Sequence, residues 1–252
     1  MLNNFDGLIW VLLTLTALLF LQRRLHRETQ VVFLILTRRG EIAMILFSLV
    51  FFPGVVLHEA SHYIMAKLLG VPTGRISILP RDKGDGRLQL GFVETGQTDI
   101  IRDSLIGAAP FIFGALFVAY AAHFQLGLTA VWEPLVVGNN PAFYETLAAL
   151  PGRSDFWLWV YLTVAVSSTM LPSASDRRAW LPLFASLGAL LLLALLVGAG
   201  SWMLSNLAPA FNSAMRALAL VLGVGVLLHL LVLPPLWLVR RALSNLTGLQ
   251  PA

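Results

Sequence analysis

The chain has 252 residues, 58% of them hydrophobic and only 12% charged, with a mean hydropathy of +0.80. Soluble domains carry about 25% charged residues, so the composition disfavours a water-soluble fold and points to a polytopic α-helical membrane protein. The net charge of +4 is small and its basic residues sit between apolar runs, which reads as topology and lipid-surface charge rather than nucleic-acid binding. The absence of cysteine removes disulfides, thiolate ligands and cysteine nucleophiles, so a metal here would need His, Asp or Glu.

A membrane span needs roughly 20 mostly apolar residues. Segments at about 5–22, 41–68, 104–123, 180–204 and 212–239 qualify. The first lacks the basic start and small-residue cleavage site of a signal peptide and reads as a retained span. "VVFLIL" (31–36) is too short to span alone and is expected to lie at the interface or to extend the second span. Between the second and third spans, "RISIL" and "RLQLGFV" alternate apolar and polar residues around the glycines of "DKGDG", the pattern of a β-hairpin. Residues 124–155 form a longer, weakly acidic connection. Phe156 to Met170 is a short sixth apolar segment, which Pro172 should end or kink.

The expected architecture is an all-α polytopic membrane protein of about six transmembrane helices with one small β-hairpin. Residues 1–40 form a first span with a basic interfacial segment, 41–180 a membrane core, and 181–252 two C-terminal spans. Under the positive-inside rule, Lys67, Arg75, Arg81, Lys83, Arg87, Arg177, Arg178, Arg240 and Arg241 place the hairpin and the C-terminus in the cytoplasm. Six spans then leave Arg23, Arg24, Arg27, Arg38 and Arg39 outside, against the rule. Either the first segment is not a full span or the count is off by one.

Inside the second span lies "LHEASHYIMAK", with His58, Glu59 and His62. Four residues apart on a helix, the two imidazoles share a face and can hold one cation. Glu59 is one step round, near a metal-activated water without being a ligand. This is the H-E-x-x-H pattern of two zinc ligands and a general base. The bland alternative is a polar cluster of neutral histidines joining helices. The metal reading is preferred, because a charged group inserted in an apolar helix costs about 2.5 kcal/mol or more. Catalytic zinc takes three protein ligands. His123, Asp103, Asp155, Glu133 and Glu145 lie in loops or at span ends, and His229 is a lone histidine in the last span. Asp176 follows the proline break in "SSTMLPSASD", which can turn its carboxylate into the bundle, and it is the favoured third ligand.

These residues resemble the site-2 protease family of intramembrane zinc metalloproteases. "LHEASHYIMAKLLGV" is similar to the family's first motif. "STMLPSASD" is similar to the second in placing Pro before Asp, but lacks its Asn, has a Pro-to-Asp spacing one residue shorter, and carries Arg177 where Gly is usual. "GAAPFIFGAL" (107–116) resembles the small-residue helix between the motifs, with Gly107, Pro110 and Gly114 as close-packing positions near the site. The resemblance covers roughly residues 41–180. It implies one Zn2+ held by His58, His62 and Asp176, with Glu59 catalytic, and cleavage of membrane-embedded protein or peptide substrates within the lipid bilayer. It also implies a prokaryotic cell membrane, with the active site toward the cytoplasm. An exposed hairpin strand could pair with an unwound substrate, making Arg87, Leu88, Leu90 and Phe92 candidate contacts; an ordinary hairpin is an equal alternative. Competing readings are an inactive homologue that escorts membrane proteins and a metal transporter. The first would be expected to lose Glu59 or a ligand, the second to spread ionisable residues over several spans.

Overall fold

The computed structural model describes residues 5–78, 81–82, 88–89 and 91–249; for Arg81, Asp82, Leu88 and Gln89 it describes the backbone. Three of the residues named above, Lys83, Arg87 and Leu90, lie outside the described set. The protein is built almost wholly of helices: α1 (Asp6–Thr37), α2 (Gly40–Val50), α3 (Phe52–Leu68), α4 (Ile100–Tyr120), α5 (Leu128–Val136), α6 (Asn140–Ala149), α7 (Phe156–Thr169), α8 (Trp180–Leu196), α9 (Gly200–Asn206) and α10 (Ala208–Thr247). Among the described residues, three helices are long and apolar enough to cross a membrane: α1, α4 with its π-helical extension to Gln125, and α10. The number rises to five if each bent pair, α2–α3 and α8–α9, is one span. By length and composition it does not reach six.

Several boundaries differ from the sequence expectation. "VVFLIL" continues α1 instead of lying at an interface, so the first helix is 32 residues long. The second span is not one rod: α2 and α3 meet at 68° around Phe51. Pro53 sits in the first turn of α3, where its missing N–H costs nothing and its ring blocks helical continuation from α2. The fifth expected span breaks by 112° between α8 and α9, with Gly198 at φ +84°. None of the 17 residues of α8 is buried.

The hairpin is present in two parts. Strand β1 (Thr73–Ser77) pairs antiparallel with β4 (Phe92–Thr95), aligning Ile76 with Val93 and Ser77 with Phe92. Within it, β2 (Arg81–Asp82) pairs with β3 (Leu88–Gln89). The β1–β4 rung packs on α3, which brings β4 beside the histidine motif.

Helices α1 and α10 form the largest helix pair and run parallel. Near one end Arg216 makes a bidentate pair with Asp6 at 2.8 Å, and Asn212 accepts from the Gly7 N–H at 2.8 Å. Toward the other end Arg24 and Arg240 both pair with the buried Glu28. Arg23, Arg24 and Arg27 therefore share an end with Arg240 and Arg241, as loop charge requires and as a count of six spans does not allow. Helices α3 and α7 also run parallel, since the Tyr161 hydroxyl donates to Val50 O at 2.9 Å and His58 bonds Thr169 O. Helix α4 runs opposite to α7, with Gly114 against Met170 and Tyr120 against Trp159. Leu18, Val118, Met170 and Leu222 fill the core among α1, α4, α7 and α10.

Candidate metal centre

Three side chains from two distant stretches converge on one point. His58 and His62 stand one turn apart on α3, with their Nε2 atoms 3.3 Å apart. Asp176 arrives from the loop after α7, its Oδ2 3.6 Å from His58 Nε2 and its Oδ1 3.4 Å from His62 Nε2. Among the described residues, these three form the group of His, Asp and Glu able to hold a metal ion, with all ligand atoms within 4.8 Å of one another. Tetrahedral zinc with bonds of about 2.0–2.1 Å separates its ligand atoms by about 3.3–3.4 Å. The observed separations fit that cage.

The protonation pattern makes the case sharper. His58 Nδ1 lies 2.7 Å from Thr169 O and His62 Nδ1 lies 2.8 Å from Ile106 O. A carbonyl can only accept, so each Nδ1 must carry the proton. In the neutral imidazole each Nε2 is then a lone-pair acceptor, and the carboxylate adds a third. Three acceptors facing one another repel unless a cation sits between them; a single added proton bridges at most one pair. Histidine with Nδ1–H on a carbonyl and Nε2 free is the usual arrangement of a metal ligand.

The two carbonyls are available for identifiable reasons. In an uninterrupted helix, Ile106 O would accept from the N–H of residue 110, which is proline and has none. Thr169 O would accept from Ser173 N–H, but α7 has ended and that N–H donates to Asp176 Oδ2 at 2.7 Å. Pro172 likewise leaves Ser168 O free, and Gln22 Nε2 donates to it at 2.6 Å. Helix interruptions thus supply each backbone acceptor the centre uses.

Asp176 is held from several sides. A Cβ on Gly107 would lie 1.9 Å from Asp176 O, so only glycine lets the loop settle on α4. Two residues on, Arg178 makes a bidentate pair with Asp103 at 2.8 and 2.9 Å, and Ser104 Oγ donates to Ala179 O. That pairing raises the Arg178 pKa. Burial alone would raise the Asp176 carboxyl, but at the acidic pH where it titrates the protonated His58 and His62 rings beside it, with the Ser173 bonds, bring it down to about 2. It is an anion at neutral pH.

Glu59 is buried, at 7% exposure, and lines the same cavity as the three ligands. That cavity, of about 690 Å³, also takes in Gln22, His26, Gly91, Phe92, Val93, Glu94, Ser168 and Arg178. A Cβ on Gly91 would come within 2.7 Å of Glu59 Cγ, so the residue just before β4 lies directly against the Glu59 side chain. Phe92 lines the cavity, and Leu88 lies in β3. Gly107 and Gly114 mark close approaches, and Pro110 is fully buried in α4. His229 lies away from the triad: it is fully buried, with Nε2 on Ser168 Oγ at 2.8 Å and Nδ1 on Gly225 O at 2.7 Å. His123, Glu133, Glu145 and Asp155 are exposed, and Asp103 serves Arg178.

Sequence reasoning overlooked Gly91, the Asp103–Arg178 clamp and the role of Ile106 and Thr169. A glycine interrupting the alternation of a strand was a signal for Gly91; the clamp left none, because its partners are far apart in sequence. Comparison with protein-family models, with characterised proteins and with solved structures finds no match. Fold and site define an α-helical, membrane-type protein with a His-His-Asp group suited to a metal ion.

Proposed function

We propose that the protein is an intramembrane zinc metalloprotease, as the resemblance of its histidine motif to the site-2 protease family implies. The observation that carries this reading is the convergence of three acceptor atoms on one point beside a buried, ligand-free Glu59 in an open cavity. His58, His62 and Asp176 fit zinc and would hold it, leaving one coordination position free. Zinc, when bound, supplies a Lewis acid that makes water nucleophilic at neutral pH and polarises a peptide carbonyl. Glu59 accepts the proton of the attacking water and passes it to the leaving amine, so atoms and charge balance over the hydrolysis. Asp176, anionic at neutral pH, neutralises part of the metal's charge. His58 and His62 stand on an apolar helix, with His62 buried and His58 and Asp176 half-buried, which suits a substrate delivered within the bilayer.

Two further observations favour the enzyme over an inactive escort. Among the described residues, no hydrogen bond or ion pair holds Glu59 away from the cavity it lines. Arg177, the residue that departs from the family pattern, is exposed and folds back onto Ser173 O at 3.2 Å, leaving the centre open. Strand β4 carries one ladder among the described residues, to β1, and lines the cavity; it is the segment suited to pair with an unwound substrate. For topology, the parallel course of α1 and α10 requires an odd number of crossings. We assign five: α1, α2–α3, α4, α7 and α10, with α8–α9 returning to the face it leaves.

The test is zinc content of the detergent-purified protein, followed by cleavage of membrane-peptide substrates. About one zinc per chain in the wild type and in Glu59→Gln, with cleavage only in the wild type, supports the reading. A well-folded wild type that takes up no zinc under metal-replete conditions overturns it.

A further inference from the structure

We propose that Pro110 is a positioning residue of the metal centre, acting by withholding an N–H donor rather than by bending a helix. The inference rests on the zinc reading of His58, His62 and Asp176 for its consequence, but on backbone geometry for its substance. Helix α4 runs from Ile100 to Tyr120 with Pro110 near its middle, fully buried. A proline inside a helix removes the bond to the carbonyl four residues earlier. That carbonyl belongs to Ile106, itself buried at 4% exposure and out of reach of bulk water. An orphaned buried carbonyl is rare and needs a donor. The donor is His62 Nδ1, at 2.8 Å.

The arrangement couples two needs that would otherwise go unmet. Ile106 O lacks a partner because residue 110 is proline. His62 requires an acceptor at Nδ1 so that Nε2 presents its lone pair to His58 and Asp176. With an ordinary residue at 110, the new N–H competes for Ile106 O, the His62 ring loses its anchor, and the Nδ1–H form is no longer enforced. Loss of a bond of this kind behind a metal-bound histidine typically weakens metal binding about 10–100-fold.

The experiment compares three full-length proteins in detergent: wild type, Pro110→Ala, and a variant with lactic acid at position 110. The last carries an ester there, so it lacks both the proline ring and the N–H. The first readout is the tautomer of His62 in the metal-free protein, by NMR of ¹⁵N-labelled histidine assigned with His62→Gln. The second is zinc affinity by chelator competition. The expected result is the Nδ1–H form in wild type and ester, a mixture in Pro110→Ala, and zinc affinity at least about tenfold weaker in Pro110→Ala alone. An unchanged tautomer in Pro110→Ala overturns the proposal. So does equal loss in alanine and ester variants, which would assign the effect to the ring and the kink. If no protein binds zinc but the tautomers behave as expected, the metal reading fails and the role of Pro110 stands.

Discussion

Two buried histidine sites in this protein invite comparison: the pair on α3 and His229 on α10. All three rings place Nδ1 on a backbone carbonyl at 2.7–2.8 Å, and all three stand on apolar helices. The difference lies at Nε2. His229 meets the Ser168 hydroxyl, which can donate, so both its nitrogens are satisfied and nothing is left to bind. His58 and His62 meet each other and a carboxylate, all acceptors, beside a cavity. The tautomer does not distinguish the cavity histidines from the structural one; the chemistry facing the second nitrogen does.

The largest effect expected from this contrast is on metal content. His58→Ala and Asp176→Ala should drop zinc from about one per chain to near zero by elemental analysis, because two ligands do not make a zinc site. Glu59→Gln should keep the zinc and lose cleavage by about 10²–10⁴-fold. Retention of zinc in Asp176→Ala would break the comparison and direct attention to another ligand.

Gly107→Ala should come next. The new methyl would collide with Asp176 O, so the loop must lift; zinc affinity is expected to fall about 10–100-fold while Glu59 is untouched. Chelator competition measures this, and an unchanged affinity would show that the loop has slack.

His229→Leu should do the reverse. It leaves Ser168 Oγ without its partner and should cost about 1–3 kcal/mol of stability in a denaturation series. Zinc content should stay at the wild-type level; a loss would mean that His229 acts on the centre through α7.

Arg178→Ala tests the clamp behind Asp176. The pair is largely exposed on the arginine side, so about 1 kcal/mol or less is at stake, or a zinc affinity change within about fivefold that shrinks at high salt.

The smallest effect concerns pH. The Asp176 carboxyl lies at about 2 in the fold against 3.8 ordinarily, so its stabilising contribution is complete above 3.8 and is lost as pH falls toward 2. Between pH 5 and 8 it stays ionised. Zinc release in that range should therefore track about two protons, those of the histidines; uptake of a third would contradict the assignment.

The residues that were legible early share one property: their signal is local. His58, Glu59 and His62 lie within one helical turn and a half, and "RISIL" with "RLQLGFV" shows its period over a few residues. Asp176 was favoured because Pro172 announced a break close by. Topology was less legible. In a chain this apolar, lipid-facing and core-facing positions look alike, since lipid tails are as apolar as leucine. Periodicity therefore did not reveal that α8 buries nothing, that the second span breaks at Pro53, or that α1 and α10 run parallel.

The sequence by itself determined the solvent, through composition, and the chemistry available, through a histidine pair one turn apart and a nearby acid. Only the tertiary structure decided which acid completes the pair and which carbonyls hold the rings. Those choices join α3 to α4 and α7 across long stretches of chain, and they depend on hydrogen bonds that helix ends and prolines leave unmade. Such an acceptor is defined by a missing donor, and its partner becomes known only when the helices pack.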